Sequence, residues 1–95
     1  MTDALPTLKV VLAWSDRRNL CSIIGDGLRS LAPGDEVRPL GEDAHVVHTA
    51  LTTSDLRDRL QSLVQADEGL FVAEFETWSA HGAAVDSRWL LARGH

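Results

Sequence analysis

Residues 52–78 carry the pattern that most constrains the fold, a capped amphipathic helix that runs directly into a strand. Thr52 is the predicted N-cap, and Asp55, three residues later, is its capping-box partner. Apolar residues then recur on one face of the helix, at Leu56, Leu60, Leu63 and Val64. Gly69 follows as a turn, and "LFVAEFETW" has the β-branched and aromatic composition of a strand. The second half of the chain is therefore predicted to be a helix followed by a strand.

The first half of the chain adds a strand, a helix and a hairpin. "LKVVLAW", residues 8–14, predicts a strand, and Ser15 or Asp16 is the predicted cap of the next helix. The apolar residues of that helix recur at helical spacing, at Leu20, Ile23, Ile24, Leu28 and Leu31. "EVRPL" and "AHVVHTAL" are joined by a short turn containing Gly41, which predicts a β-hairpin. Pro39 is compatible only with an edge strand of that hairpin.

The predicted order is β-α-β-β-α-β, the split βαβ arrangement of ferredoxin-like α+β domains. It implies a four-stranded antiparallel sheet with both helices on one face. A length of 95 residues suits a single domain. We expect a core over residues 8–77 and a C-terminal tail over residues 78–95, in which Ser87 caps a short helix, "RWLLA".

The first and last strands are apolar on both faces, whereas an antiparallel sheet with one face in water should alternate more cleanly. Side chains of both strands share the second face, at Val11, Ala13, Leu70 and Val72. We expect a second subunit, the C-terminal tail or both to cover that face. Trp78 and Trp89 flank a linker of small residues and are expected to dock on the sheet or on a partner. These six residues form the predicted interface of a homodimer.

Composition excludes several classes of protein. Fourteen acidic residues against nine basic ones give a net charge of -5, which disfavours sequence-independent binding to nucleic-acid phosphates. A single cysteine, Cys21, excludes an internal disulfide and suits a reducing cytoplasm. The longest apolar run, "VVLAW", is too short to span a membrane. The acidic balance would suit an inhibitor of a basic protein.

Three carboxylates are candidate metal ligands. Asp16 could hold Mg²⁺ through a carboxylate shared across a dimer, since Mg²⁺ accepts one or two carboxylates plus waters. It could equally cap the first helix. Glu74 and Glu76 lie on one strand face, about 6 to 7 Å apart, which is close enough to flank a cation. The alternative is that the strand simply emerges into solvent there.

Four basic or titratable residues complete the candidate list. Arg17 and Arg18 open the predicted first helix, where backbone N–H groups favour anions, so this pair could bind a phosphate. The alternative is a solvated loop. His45 and His48 are three residues apart on a predicted strand, which sends their side chains to opposite faces. The two histidines are therefore not expected to chelate one metal.

The sequence resembles the SinR-like family in three places. These are the segment "LTTSDLRDRLQSLVQADEGLFVAEF", the tryptophan that follows it, and the tail "RWLLARGH". SinR-like proteins are small relatives of the ferredoxin-like subunit of the CRISPR adaptation integrase and of virulence-associated protein D. The resemblance implies a homodimer and, for some relatives, a metal-dependent nuclease with an aspartate at the end of the first strand. Here the carboxylate stands one residue later, in Trp14-Ser15-Asp16, and such a shift can turn a side chain to the opposite face.

Three functions follow from these patterns. The first is a homodimeric binding or assembly module without a cofactor, in the defence- or phage-related setting that the resemblance implies. The second is a metal-dependent endoribonuclease, with Asp16 as first Mg²⁺ ligand and Glu74 or Glu76 assisting. The third is an acidic inhibitor that binds a basic nucleic-acid-handling protein.

Overall fold

Four β-strands and three α-helices form over the residues that the computed structural model describes, 5–82 and 85–94. The strands are β1 (Thr7–Trp14), β2 (Val37–Leu40), β3 (Ala44–Thr49) and β4 (Gly69–Phe75). The helices are α1 (Cys21–Leu31), α2 (Thr53–Leu60) and α3 (Ser87–Gly94). Ala83, Ala84 and His95 of the predicted tail lie outside the described residues.

The strands form one antiparallel sheet in the order β2-β3-β1-β4. Helices α1 and α2 both pack on one side of it, which we call the helix face. Val11 lies there, opposite His45 on β3 and opposite Val72 on β4. Leu12 points to the other side, the tail face, and is opposite Phe71 of β4. The predicted α+β class and the antiparallel sheet are confirmed.

The main core lies between the helix face and the two helices. It contains Val11, Ala13, Leu20, Ile24, Leu28, Val37, Val47, Leu56 and Leu60. Thr52 caps α2 as predicted, because its hydroxyl accepts the backbone N–H of Asp55 at 3.1 Å. Gly41, in the turn between β2 and β3, has a φ of 70°, a conformation that favours glycine. The capped helix and the hairpin were thus both readable from local sequence.

The prediction that Ser15 or Asp16 caps α1 is wrong. Helix α1 begins at Cys21, whose N–H is accepted by the side chain of Asn19 at 2.8 Å. The hydroxyl of Ser15 instead accepts the N–H of Arg17 within a non-helical loop. That loop is held away from helical geometry by ion pairs of its arginines, described below. Asp16 is an exposed loop residue.

The prediction that Val11, Ala13, Leu70 and Val72 face a second subunit is also wrong. Val11 is 0% exposed and Ala13 is buried, both within the core under the helices. Leu70 and Val72 pack against that same core. The error has a simple physical reason. Strands that are apolar on both sides do not indicate which side the helices cover.

The tail covers part of the opposite face. Trp89 and Leu90 of α3 are buried against Leu8 and Val46, and four partly buried apolar residues pack around them: Leu40, Phe75, Trp78 and Val85. The two tail tryptophans thus dock on the sheet of their own chain. The cap of α3 is Asp86 rather than Ser87, because the Asp86 carboxylate accepts the N–H of Trp89 at 3.1 Å.

None of the helices within residues 5–82 and 85–94 combines the length and the hydropathy needed to cross a lipid bilayer.

Candidate functional site

The predicted metal ligands do not converge within one chain. Asp16 follows the last residue of β1, whereas Glu74 is opposite Lys9 near its start. At about 3.3 Å per strand residue, the two carboxylates are roughly 20 Å apart. Glu76 lies beyond the end of β4, farther still from Asp16. In the described part of the chain, no group of three or more acidic, histidine or cysteine residues could hold a metal ion.

Glu74 instead accompanies a buried lysine. The side chain of Lys9 is 2% exposed, and its ammonium donates to the backbone carbonyl of Thr49 at 2.7 Å. The Glu74 carboxylate lies 3.5 Å from that ammonium and accepts the hydroxyl of Thr7. The hydroxyl of Thr7 and the charge of Lys9 hold the pKa of Glu74 below its usual range. Glu74 therefore balances a buried positive charge, a structural role.

The predicted phosphate-binding arginines are engaged by carboxylates of the chain itself. Arg17 forms two hydrogen bonds with Asp67, at 2.8 and 3.0 Å. Arg18 forms two with Glu68, at 2.6 and 2.7 Å. The Glu68 side chain is 1% exposed, and the guanidinium of Arg18 holds its pKa far below its usual range. A phosphate would have to displace these carboxylates, so the pairs serve to join the loop after β1 to the loop before β4.

The two histidines of β3 point to opposite faces, as predicted. His45 is buried under α1, whereas His48 lies on the tail side with its Nδ1 2.7 Å from Glu36. Glu36 also accepts the guanidinium of Arg93 at 3.0 Å, and Arg93 stacks over the ring of Trp89 at 4.6 Å. These contacts fasten α3 to the segment before β2. Sequence reasoning missed them because the partners lie 57 residues apart.

Tail helix α3 leaves half of the tail face open. Trp14 is 53% exposed and Phe71 is 52% exposed, although both are large and apolar. Leu12 is opposite Phe71, and Ala73 is the next residue of β4 on the same face. We call these four residues the open patch. Within the described residues, Trp14 and Phe71 are the large apolar side chains of the sheet that are mostly exposed.

Glycine at position 69 shapes the patch. Trp14 is opposite Gly69, and a Cβ atom at Gly69 would lie 2.0 Å from the Trp14 ring. The indole therefore lies over the backbone of β4 at Gly69, where any larger residue would displace it. The ring presents its outer surface to solvent beside Phe71.

Carboxylates border the open patch. The backbone N–H of Ala13 donates to the carbonyl of Asp43 at 3.2 Å, which brings the hairpin turn beside the end of β1. Asp16, Glu42 and Asp43 are all exposed in the loops at this end of the sheet. Within the described residues, none of the three forms an ion pair. The apolar patch therefore has an uncompensated acidic border.

The outer edge of β4 adjoins the patch. Because β4 is last in the sheet order, the backbone groups on its outer side have no strand partner over Gly69–Phe75 among residues 5–82 and 85–94. The opposite edge, β2, is shorter and contains Pro39, which lacks an N–H donor. Exposed edge strands without proline are ready templates for pairing with another chain.

Comparison of the chain with protein-family models, characterised proteins and solved structures found no significant match.

Proposed function

We propose that this protein is a small binding and assembly module that pairs with a second copy of itself through the open patch and the edge of β4. One observation carries this proposal. Trp14 and Phe71, two large aromatic residues, are diagonal neighbours on adjacent strands, and each is more than half exposed on one face of the sheet. A contiguous patch of exposed apolar surface usually marks a site where the protein contacts another molecule.

The position of the patch favours a second copy as the partner. A symmetric dimer uses the same surface twice, so the surface must be complementary to itself. An antiparallel edge strand meets this condition, because two copies of β4 can pair about a two-fold axis. Such pairing would satisfy the backbone groups of both strands and would set the two open patches next to each other on one sheet face, where Phe71 of each copy packs against side chains of the other β4 across the seam.

We also infer that the domain is ferredoxin-like. The inference is supported by the element order β-α-β-β-α-β, by the position of β1 between β3 and β4, and by two helices on one face. A SinR-like relationship and a defence- or phage-related setting are proposals that come from the sequence resemblance alone.

The mass in solution tests the proposal. We expect light scattering at micromolar concentration to return twice the chain mass of 10.4 kDa. Replacing Phe71 by Ser should return the mass of one chain, because it removes apolar area from the centre of the patch. Leu5→Ser is the matched control, since Leu5 is an exposed leucine outside the patch. A wild-type protein that stays at 10.4 kDa across this range would contradict the proposal.

A second candidate, the acidic inhibitor of a basic protein, is favoured by the three carboxylates that border the patch. A basic partner with an apolar centre would match both the open patch and Asp16, Glu42 and Asp43. Ionic strength separates the two candidates. Raising salt from about 0.01 M to about 0.15 M screens exposed charges, so it should strengthen pairing between two acidic chains and weaken binding to a basic partner.

A further inference from the structure

Cys21 and His45 form a pair that the proposed function does not use. Cys21 is the first residue of α1 and is partly accessible to solvent. Its Sγ lies 3.9 Å from Nε2 of His45, which is on the helix face of β3. His45 is 3% exposed. A buried imidazole thus lies against the sulfur of a partly exposed cysteine.

Glycine at position 25 of α1 leaves space for the imidazole of His45. A Cβ atom at Gly25 would lie 3.0 Å from Nε2 of His45, so glycine lets α1 approach the ring closely. Within residues 5–82 and 85–94, the sulfur of Cys21 is the one hydrogen-bond partner of the His45 side chain. Buried polar groups normally have nitrogen or oxygen partners, which makes this arrangement unusual for a purely structural histidine.

The surroundings favour a neutral imidazole, the form that can act as a base. Burial lowers the pKa of His45, and the positive charge of Arg29 on α1 lowers it further. The neighbours of His45 on the sheet, Val11 and Pro39, do not titrate. The imidazole is therefore uncharged at neutral pH and has a nitrogen free to accept a proton. The first turn of α1 contains no acidic residue, so the positive end of the helix dipole faces Cys21 without compensation.

We propose that Cys21 is a reactive thiol, with His45 as its base, and that small-molecule disulfides modify it. Nε2 of His45 takes the thiol proton, and the Cys21 thiolate attacks one sulfur of the disulfide in line with its S–S bond. A new S–S bond forms on Cys21 as the old one breaks. The leaving thiolate takes the proton back from His45 and departs as a thiol, so no further oxidant is needed.

The rate of reaction with 4,4′-dithiodipyridine, a neutral aromatic disulfide, tests this assignment. Cys21 is the only cysteine, so one adduct per chain reports on this site alone. At about pH 6.5, well below the ordinary cysteine pKa of about 8.5, we expect the folded protein to react about a hundredfold faster than a cysteine peptide, the lower end of general-base assistance. His45→Gln should remove that advantage. His48→Gln, on the same strand but the opposite face, should keep it.

The pH profile of the wild-type rate gives an independent measurement if the His45 variant does not fold. A dyad predicts a rate that levels off well below the ordinary thiol pKa. A rate that instead rises through about pH 8.5, as for a free cysteine, would overturn the proposal. A folded protein that reacts no faster than the peptide, or a folded His45→Gln variant that reacts as fast as wild type, would overturn it too.

Discussion

The carboxylate of Glu68 shows how a single residue couples two loops to the stability of the whole domain. It is nearly inaccessible, accepts two hydrogen bonds from Arg18 and accepts the backbone N–H of Gln65 at 2.8 Å. Its pKa in the folded protein lies far below that in the unfolded chain, chiefly because of the Arg18 hydrogen bonds. The folded state therefore favours the charged form.

Acid should destabilise the protein through Glu68. Because the folded pKa is depressed, the stabilisation is complete above the unfolded value, about 4.3, and is lost as pH falls below it. We expect urea unfolding to show a stability that declines below that pH in wild type and declines less steeply in Glu68→Gln. Glu42→Gln, which alters an exposed glutamate, serves as control. If the free energy of unfolding falls equally steeply with decreasing pH in Glu68→Gln and in wild type, the Glu68–Arg18 pair does not govern acid sensitivity.

Gly69 is a second residue whose role depends on its size. Alanine at this position would collide with the Trp14 ring and force it off β4. We expect Gly69→Ala to cost about 1 to 3 kcal/mol of unfolding free energy, as overpacked sites do. Gly34→Ala is the matched control, because a Cβ there meets nothing within 4 Å. Equal denaturation midpoints for the two variants would mean that the indole does not lie over Gly69 in solution.

Among the elements, α3 is the one whose anchoring depends on a single large side chain. Trp89 is buried against the sheet, and its ring N–H donates to the carbonyl of Asp35 at 2.6 Å. Trp89→Ala should lower the free energy of unfolding by about 3 to 5 kcal/mol. Leu91→Ala on the same helix removes an exposed side chain and should change it by less than about 0.5 kcal/mol. Chemical denaturation of both variants measures this difference in the free energy of unfolding. Similar losses of stability in the two variants would contradict the packing of α3 described here.

Features determined by neighbouring residues could be predicted from sequence, whereas features determined by residues distant in the chain could not. The cap at Thr52 and the turn at Gly41 are encoded within a few residues, and both were predicted. The start of α1 was not, because the loop before it is held by Arg17 and Arg18 through residues far along the chain. Val11, Ala13, Leu70 and Val72 were correctly predicted to share one face of the sheet. Which face the helices leave open depends on the global packing, so the open patch could not be identified from sequence.

At the scale of the whole molecule, the distance between the candidate metal ligands argues against their sharing one cation within a single chain. Asp16 is an exposed loop residue at one end of the sheet, about 20 Å from Glu74. Asp16→Asn should therefore change stability by less than about 0.5 kcal/mol. We expect no cleavage of labelled single-stranded RNA or duplex DNA that requires both Mg²⁺ or Mn²⁺ and Asp16. Cutting by wild type that disappears with chelator and in Asp16→Asn would restore the nuclease hypothesis.

The central position of β1 has a consequence for biosynthesis. Leu8 of β1 is paired on one side with His48 and on the other with Phe75, so β1, which is synthesised before the other strands of the sheet, cannot complete its pairing until β4 has emerged. Translation proceeds at about 5 to 20 residues per second, which leaves this doubly apolar strand unpaired in the nascent chain for seconds. The sheet should therefore form only after β4 has emerged, and the exposed β1 segment should until then be a recognition site for ribosome-associated chaperones.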